Sequence, residues 1–352
     1  MYTVEITAST NYPVHIGPGL LDRAGELIGG ITAARRCVVV TDDTVRDLYA
    51  QRVLTALEGA GFTAALFAFP HGEQSKTLKT YGDALEFFAG SRLTRSDLVV
   101  SLGGGVVGDL AGFAAATYQR GVDVVQIPTT FLAASDASVG GKTAVDLAAG
   151  KNLAGAFWPP RMVLCDTETF RTLPEAAFAD GAAETLKHGL IADRAFFRQL
   201  LEGDIRAHMA DVVRRNVEIK AAVVAEDEFE RGRRKLLNFG HTLGHAVEKR
   251  SGYAVSHGHA VAIGMVLAAR AGERLGFSPV GTLNAVKSAC EKYGLPTDCT
   301  YTAGELFDAA TADKKRTGDG IDVVILREIG RAETVRLDLA GLRKFTEAAL
   351  WI

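Results

Sequence analysis

Up to Pro174 the chain alternates short, unbroken apolar runs rich in β-branched residues with segments of helical periodicity, and few architectures satisfy that pattern. The runs are Cys37–Thr41 (CVVVT), Asp97–Leu102 (DLVVSL), Val122–Ile127 (VDVVQI) and Met162–Cys165. Helical patterns lie between them, as at Thr44–Gly59 and Thr77–Ala89. A strand that is apolar at every position needs cover on both faces, and intervening helices supply it. The pattern therefore predicts a parallel sheet with helices on both sides.

Beyond Pro174 the period changes. Segments repeating every 3.6 residues dominate: Glu175–Leu190, Ile205–Ala225, Arg234–Ser251, Gly258–Leu275 and Thr282–Tyr293. Turn signals at Gly252, Gly276 and Gly294 separate them, and one strand-like run, Ile321–Leu326, interrupts late. The expected organisation is a Rossmann-like α/β domain over 1–173 and a mainly helical, nominally all-α domain over 174–352. A length of 352 residues agrees with two domains at ~100–200 residues each.

With 39 basic and 42 acidic residues, the net charge of −3 leaves no cationic surplus for a polyanion. Nucleic acid is thus not an expected partner, whereas a small anionic substrate needs only a few local cations. Cys37, Cys165, Cys290 and Cys299 show no CxxC spacing, so neither a disulfide framework nor a cysteine zinc site is expected. Met1 leads directly into a strand-like run instead of a basic and apolar leader. The richest apolar stretch, Ala260–Ala269, is too short for a bilayer, so no membrane role and a cytoplasmic location are expected.

Gly103-Gly104-Gly105-Val106-Val107-Gly108-Asp109 follows a buried strand and opens a helix. Glycines admit a pyrophosphate to the backbone, and a helix N-terminus offers unpaired N–H groups. Asp42 closes the run CVVVT, where a carboxylate can accept from a ribose diol or cap the following helix; the sequence leaves both open. The loop His71–Lys76 adds Glu73 and Lys76 beside a glycine.

Asn238-Phe239-Gly240-His241-Thr242-Leu243-Gly244-His245 places two histidines at i and i+4, on one helical face. His257 and His259 follow in SHGH, so four of eight histidines fall within nineteen positions. Imidazoles so dense point to a transition metal. Thr242 occupies the place of the metalloprotease glutamate, which argues against peptide hydrolysis. Glu184 and Lys187, three apart, put a carboxylate and an ammonium on one face of another helical segment. Spacing does not say which imidazoles ligate. Cations recur beside small or polar residues at Arg120, Lys142, Lys151, Lys220, Arg234 and Lys314. Lys142 is glycine-flanked with Asn152 ten residues on, which suits a phosphate or carboxylate; the spacing is not that of a Walker A loop.

Together, the stretches GGGVVGDLAGFAAATYQRG, IPTTFLAASDASVGGKTAVDLAAGKNLAGAFWPP, AAETLKHGL and LLNFGHTLGHAVE resemble the 3-dehydroquinate synthase family of sugar-phosphate cyclases. The resemblance runs from about residue 1 to 345 and is densest between 100 and 260. It implies a dehydroquinate synthase-like fold, with an N-terminal nucleotide-binding domain and a C-terminal metal-binding domain. It implies NAD as cofactor and Zn2+, with Co2+ as a substitute, held by Glu184, His241 and His257. His245 is then left to face the substrate and its phosphate. Lys142, Asn152, Lys187, Lys220, Arg234, Asn238 and Lys314 would bind the substrate, with Asp136 and Glu230 beside them. Arg120 would reach a phosphate from the partner subunit of a homodimer. NAD would contact Asp42, Glu73, Lys76, Gly104, Gly105, Asp109, Thr129, Thr130, Lys151, Thr172 and Leu173. Two positions depart from the pattern: His259 stands where the family often has glutamate, and Ala177 where many members carry an acid.

The implied substrate is 3-deoxy-D-arabino-heptulosonate 7-phosphate. The implied reaction is transient oxidation by NAD, phosphate elimination, re-reduction and intramolecular aldol closure. Another sugar-phosphate cyclase, of the amino-dehydroquinate or 2-epi-5-epi-valiolone type, is the nearest alternative. A glycerol-dehydrogenase-like oxidoreductase is a broader one. Lys187, Lys220, Asn238 and the run Asp313–Lys315 favour the substrate that carries a carboxylate.

Overall fold

The computed structural model describes residues 1–311 and 320–350. They divide into two compact units: Met1–Leu173 with Met209–Phe229, and Pro174–His208 with Glu230–Ile352.

Unit 1 holds a seven-stranded sheet and a separate hairpin. The chain runs through β1 (Tyr2–Ile6), β2 (Tyr12–Gly17), β3 (Arg36–Asp42), β4 (Thr63–Phe69), β5 (Leu98–Gly103) and β6 (Asp123–Pro128). The hairpin β7 (Lys142–Leu147) and β8 (Gly150–Phe157) follows, then β9 (Met162–Asp166). The sheet order is β1-β2-β9-β6-β5-β3-β4, and every pairing except β1 with β2 is parallel. The unbroken apolar strands are explained by cover on both faces. Cys37 and Val39 pack into one core with Leu98, Val100 and Ile127, while Val38 and Val40 pack into the other with Val99, Leu110 and Ala114.

Strand β3 pairs with β4 on one side and β5 on the other, so the chain winds outward in opposite directions from this point. In an open parallel sheet, the carboxyl ends of strands at such a switch point form the usual ligand crevice. Asp42 ends β3 and Gly103 ends β5. This topology also explains why the glycine loop lies so far along the chain.

The helix Met209–Glu226 belongs to unit 1, although its sequence position lies beyond the expected boundary at 173/174. Polar contacts stitch this segment in place. The Tyr2 hydroxyl donates to Asp211 at 2.9 Å, Ser9 donates to Glu228 at 2.7 Å, and Lys220 binds Asp136.

Unit 2 is mainly helical and carries the antiparallel hairpin β10 (Ile321–Glu328) and β11 (Arg331–Leu337). Three of its helices are Glu175–Ala192, His241–Arg250 and His257–Arg274. Two of them approach each other through glycine. A Cβ on Gly264 would come within 2.0 Å of the Gly240 carbonyl oxygen, and one on Gly244 within 2.9 Å of the Ala260 oxygen. Gly240 also has a φ of +80°, which an L side chain rarely adopts, at the turn into the first histidine helix. Among the described residues no helix is long and apolar enough to cross a membrane.

Candidate metal centre and nucleotide loop

In unit 2, one helical turn brings His241 and His245 to the same face, with ring centroids 5.2 Å apart. The glycine-mediated helix contact sets His257 beside them, at centroid distances of 5.3 Å from His241 and 5.9 Å from His245. Glu184, only 1% exposed, turns Oε1 toward His257 Nε2 at 3.2 Å and His241 Nε2 at 3.6 Å. Its other oxygen pairs with the equally buried Lys187.

The donor atoms of Glu184, His241 and His257 all lie within 4.8 Å of one another. One carboxylate and two imidazoles make a known three-ligand zinc set that keeps a coordination position open. Protonation agrees with a cation here. Burial drives His241 down to about 3, so its lone pair is available. Burial also opposes charge on His257, yet hydrogen bonding to Glu184 and Glu248 outweighs it and carries that imidazole up to about 10. Two buried carboxylates thus demand positive charge at the position where a divalent ion would sit. The residues fit the metal.

His245 is the most open of the three, with 59% side-chain exposure, and its Nε2 lies 3.8 Å from Glu248. Glu248 was not singled out from sequence. The signal was present, because 241, 245 and 248 form an i, i+4, i+7 stripe, but carboxylates at helical spacing are common. The structure also accounts for His259. Its Nδ1 lies 2.8 Å from Asp180 and its backbone N–H donates to the same carboxylate at 3.0 Å. His259 thus pairs at the start of its helix, outside the donor set. Ala177 is half-buried near the start of the helix Glu175–Ala192. Arg234 is buried, and Asn238 donates to Glu230 at 2.6 Å. Glu230 itself has a φ of +58°. Lys314 lies outside the described residues.

In unit 1, Gly104 is the N-cap of the helix Gly105–Thr117 and offers no side-chain cap, so the first N–H groups stay available to an anion. A Cβ on Gly104 would press to 3.0 Å from Thr130 Cγ2. Thr129 is 2% exposed, and its hydroxyl finds no hydrogen-bond partner among the described residues. An uncapped helix start, a glycine cradle and an orphaned hydroxyl at the sheet's switch point fit a dinucleotide. Asp42 accepts from the Val45 N–H at 2.8 Å, so it does cap the next helix; its second oxygen is uncommitted to that bond. Burial raises its carboxyl above the usual range.

Lys76 is a buried hub. It donates to Asp109 at 2.6 Å and to Asn152 Oδ1 at 2.5 Å. Burial works against its charge, but Asp109 prevails and holds the ammonium above its usual range. Lys151 lies 3.6 Å from Glu73. Thr172 bonds the Tyr49 hydroxyl at 2.5 Å, and Leu173 closes the unit's first stretch. Lys142 and Asn152, ten residues apart in sequence, sit on paired strands: Lys142 begins β7 exposed, and Asn152 lies in β8 with φ +57°. The buried Lys220 donates to the Asp136 carbonyl at 2.6 Å and pairs with its carboxylate. Arg120 is exposed with a left-handed φ of +65°, next to Gln119 at +52°.

Cys37, Cys165 and Cys290 are buried and unbridged, and Cys299 is half-buried. Burial pushes the Cys37 and Cys290 thiols up to about 12, so they are not nucleophiles at neutral pH.

The chain is similar to known proteins along nearly its whole length. The profile described as 3-dehydroquinate synthase N-terminal matches residues 66–180, and that described as 3-dehydroquinate synthase C-terminal matches 181–316. A 3-dehydroquinate synthase of Caulobacter vibrioides is 46% identical over 351 residues, covering 95% of each chain. A 2-deoxy-scyllo-inosose synthase complexed with carbaglucose-6-phosphate, NAD+ and Co2+ superimposes with a TM-score of 0.86 at 25% identity, over 98% of this chain and 99% of that one. The 2-epi-5-epi-valiolone synthase ValA of Streptomyces hygroscopicus, with NAD+ and Zn2+ bound, also gives 0.86, at 28% identity over 99% and 98%.

Proposed function

We infer that the chain, which belongs to the 3-dehydroquinate synthase family, converts 3-deoxy-D-arabino-heptulosonate 7-phosphate to 3-dehydroquinate and phosphate, in the shikimate route to aromatic amino acids. The observation that carries this reading is the Glu184–His241–His257 donor set with Lys187 alongside, in a chain 46% identical to such an enzyme along nearly its whole length.

When bound, NAD supplies reversible oxidation of a substrate hydroxyl and zinc, or cobalt in its place, supplies Lewis acidity. Glu184, His241 and His257 would hold the metal. Asp42 would accept from ribose hydroxyls while still capping its helix, and the Gly104 and Gly105 backbone would receive the pyrophosphate. Glu73, Lys76, Asp109, Thr129, Thr130, Lys151, Thr172 and Leu173 complete the cofactor contacts in this reading.

Lys142, Lys187, Lys220, Arg234 and Lys314 neutralise the substrate's carboxylate and phosphate, and with Asn152 and Asn238 they orient its polar groups. Their value lies in preorganisation: Asp136 already holds Lys220, and Glu230 already holds Asn238, so little rearrangement accompanies charge development. His245, exposed beside the metal ligands, faces the leaving phosphate, and that phosphate takes the proton lost in elimination. The enzyme acts as a homodimer in the cytoplasm, with the exposed Arg120 serving a phosphate of the neighbouring subunit. Two successive left-handed residues at Gln119 and Arg120 support a role for that turn, since such strain persists where the surroundings demand it.

Product identification tests the assignment. Incubation with the heptulosonate phosphate should give dehydroquinate by NMR, and sedoheptulose 7-phosphate, which lacks the carboxylate, should give no cyclised product. Cyclisation of sedoheptulose 7-phosphate alone would transfer the protein to the valiolone-type cyclases.

A further inference from the structure

We propose that Glu248 is the positioning residue of the metal centre, its buried carboxylate holding the His257 ring on one oxygen and facing the His245 ring with the other. The proposal rests on the metal reading above and adds to the donor set a residue that reading does not use.

The geometry is specific. His257 turns Nε2 to Glu184 Oε1 at 3.2 Å and Nδ1 to Glu248 Oε1 at 3.5 Å. His245 Nε2 faces Glu248 Oε2 at 3.8 Å. An imidazole is free to rotate about its last torsion, and a ligating histidine is normally oriented by an acceptor on its far nitrogen. Glu248 stands in that place, so Nε2 is the atom His257 presents to the metal. At 3% exposure Glu248 is costly to bury as an anion unless cationic or hydrogen-bonding partners surround it. It shares a ten-residue helix with His241 and His245, so one backbone element sets the spacing at which the three side chains emerge. One carboxylate therefore stands against both a metal ligand of this reading and the histidine that the reading turns to the substrate.

A competing arrangement exists, because His245, Glu248 and His257 also place their donor atoms within 4.8 Å of one another. In that case Glu248 would itself be a ligand. Zinc titration of the full-length protein against a chromophoric chelator, without substrate, separates the two, together with the visible absorption of the Co2+ form. Glu248→Gln keeps the size and removes the charge; it should weaken zinc about 10-fold, and Glu248→Ala about 10–100-fold, with shifted cobalt bands. His245→Ala should stay within about twofold of the parent, and His241→Ala should lose the metal. A folded Glu248→Gln with parental affinity and parental cobalt bands overturns the proposal. So does loss of metal in His245→Ala with retention in His241→Ala. A parent protein that binds no zinc overturns instead the metal reading on which the proposal stands.

Discussion

At the scale of single residues, charge and donor chemistry divide the histidines into roles. His241→Ala and His257→Ala should each leave the purified protein without zinc and without turnover, since losing one of three ligands undoes an open tetrahedral site. His259→Ala should keep its metal, because that ring is paired with Asp180. Elemental analysis decides: full zinc in either ligand variant contradicts the donor set. Asp42 calls for a finer substitution, because its cap and its proposed ribose contact coincide. Asn caps a helix about as well as Asp, so Asp42→Asn should leave the melting temperature nearly unchanged. It should still weaken NAD+ by about 1 kcal/mol, the difference between a hydrogen bond to a charged acceptor and one to a neutral acceptor. Unchanged affinity by calorimetry would reduce Asp42 to a helix cap.

At the scale of elements, close packing of two helices brings the candidate metal ligands His241 and His257 together. Gly264→Ala puts a methyl group against the Gly240 carbonyl, a backbone atom that has no rotamer to escape into. The expected cost is about 1–3 kcal/mol of stability, with weaker zinc retention as His257 is pushed from His241. Denaturant unfolding in the presence of chelator isolates the packing term, and a stability equal to the parent's would show that the helices yield easily. Such contacts were not legible in the sequence, where a glycine in a helical pattern looks like a cost. The strands CVVVT and DLVVSL were legible because burial on both faces leaves them wholly apolar. The hairpin β7–β8 was not. Its second strand, GKNLAGAF, mixes glycine, alanine and exposed polar residues and has an open face. Periodicity identified the helix Met209–Glu226 but could not assign it to unit 1, because a 3.6 repeat records that one face is covered and not by what.

For the molecule as a whole, the sequence carried the two-part organisation, since the change from strand–helix alternation to helical periods marks a change in what each segment packs against. The histidine spacing and the glycine loop were legible too, as they express chemistry that few other residues can supply. Glu248 and Asp180 escaped because an acid on a helix is ordinarily a solvated one. The central claim is that the nicotinamide is a resident catalyst, reduced and re-oxidised within one cycle. The direct test is the phosphate released from the heptulosonate phosphate with NAD+ supplied below the enzyme concentration. The account predicts many phosphates per NAD+ with no accumulation of NADH absorbance. One NADH formed per substrate consumed, without phosphate release, would contradict it and make the protein a dehydrogenase.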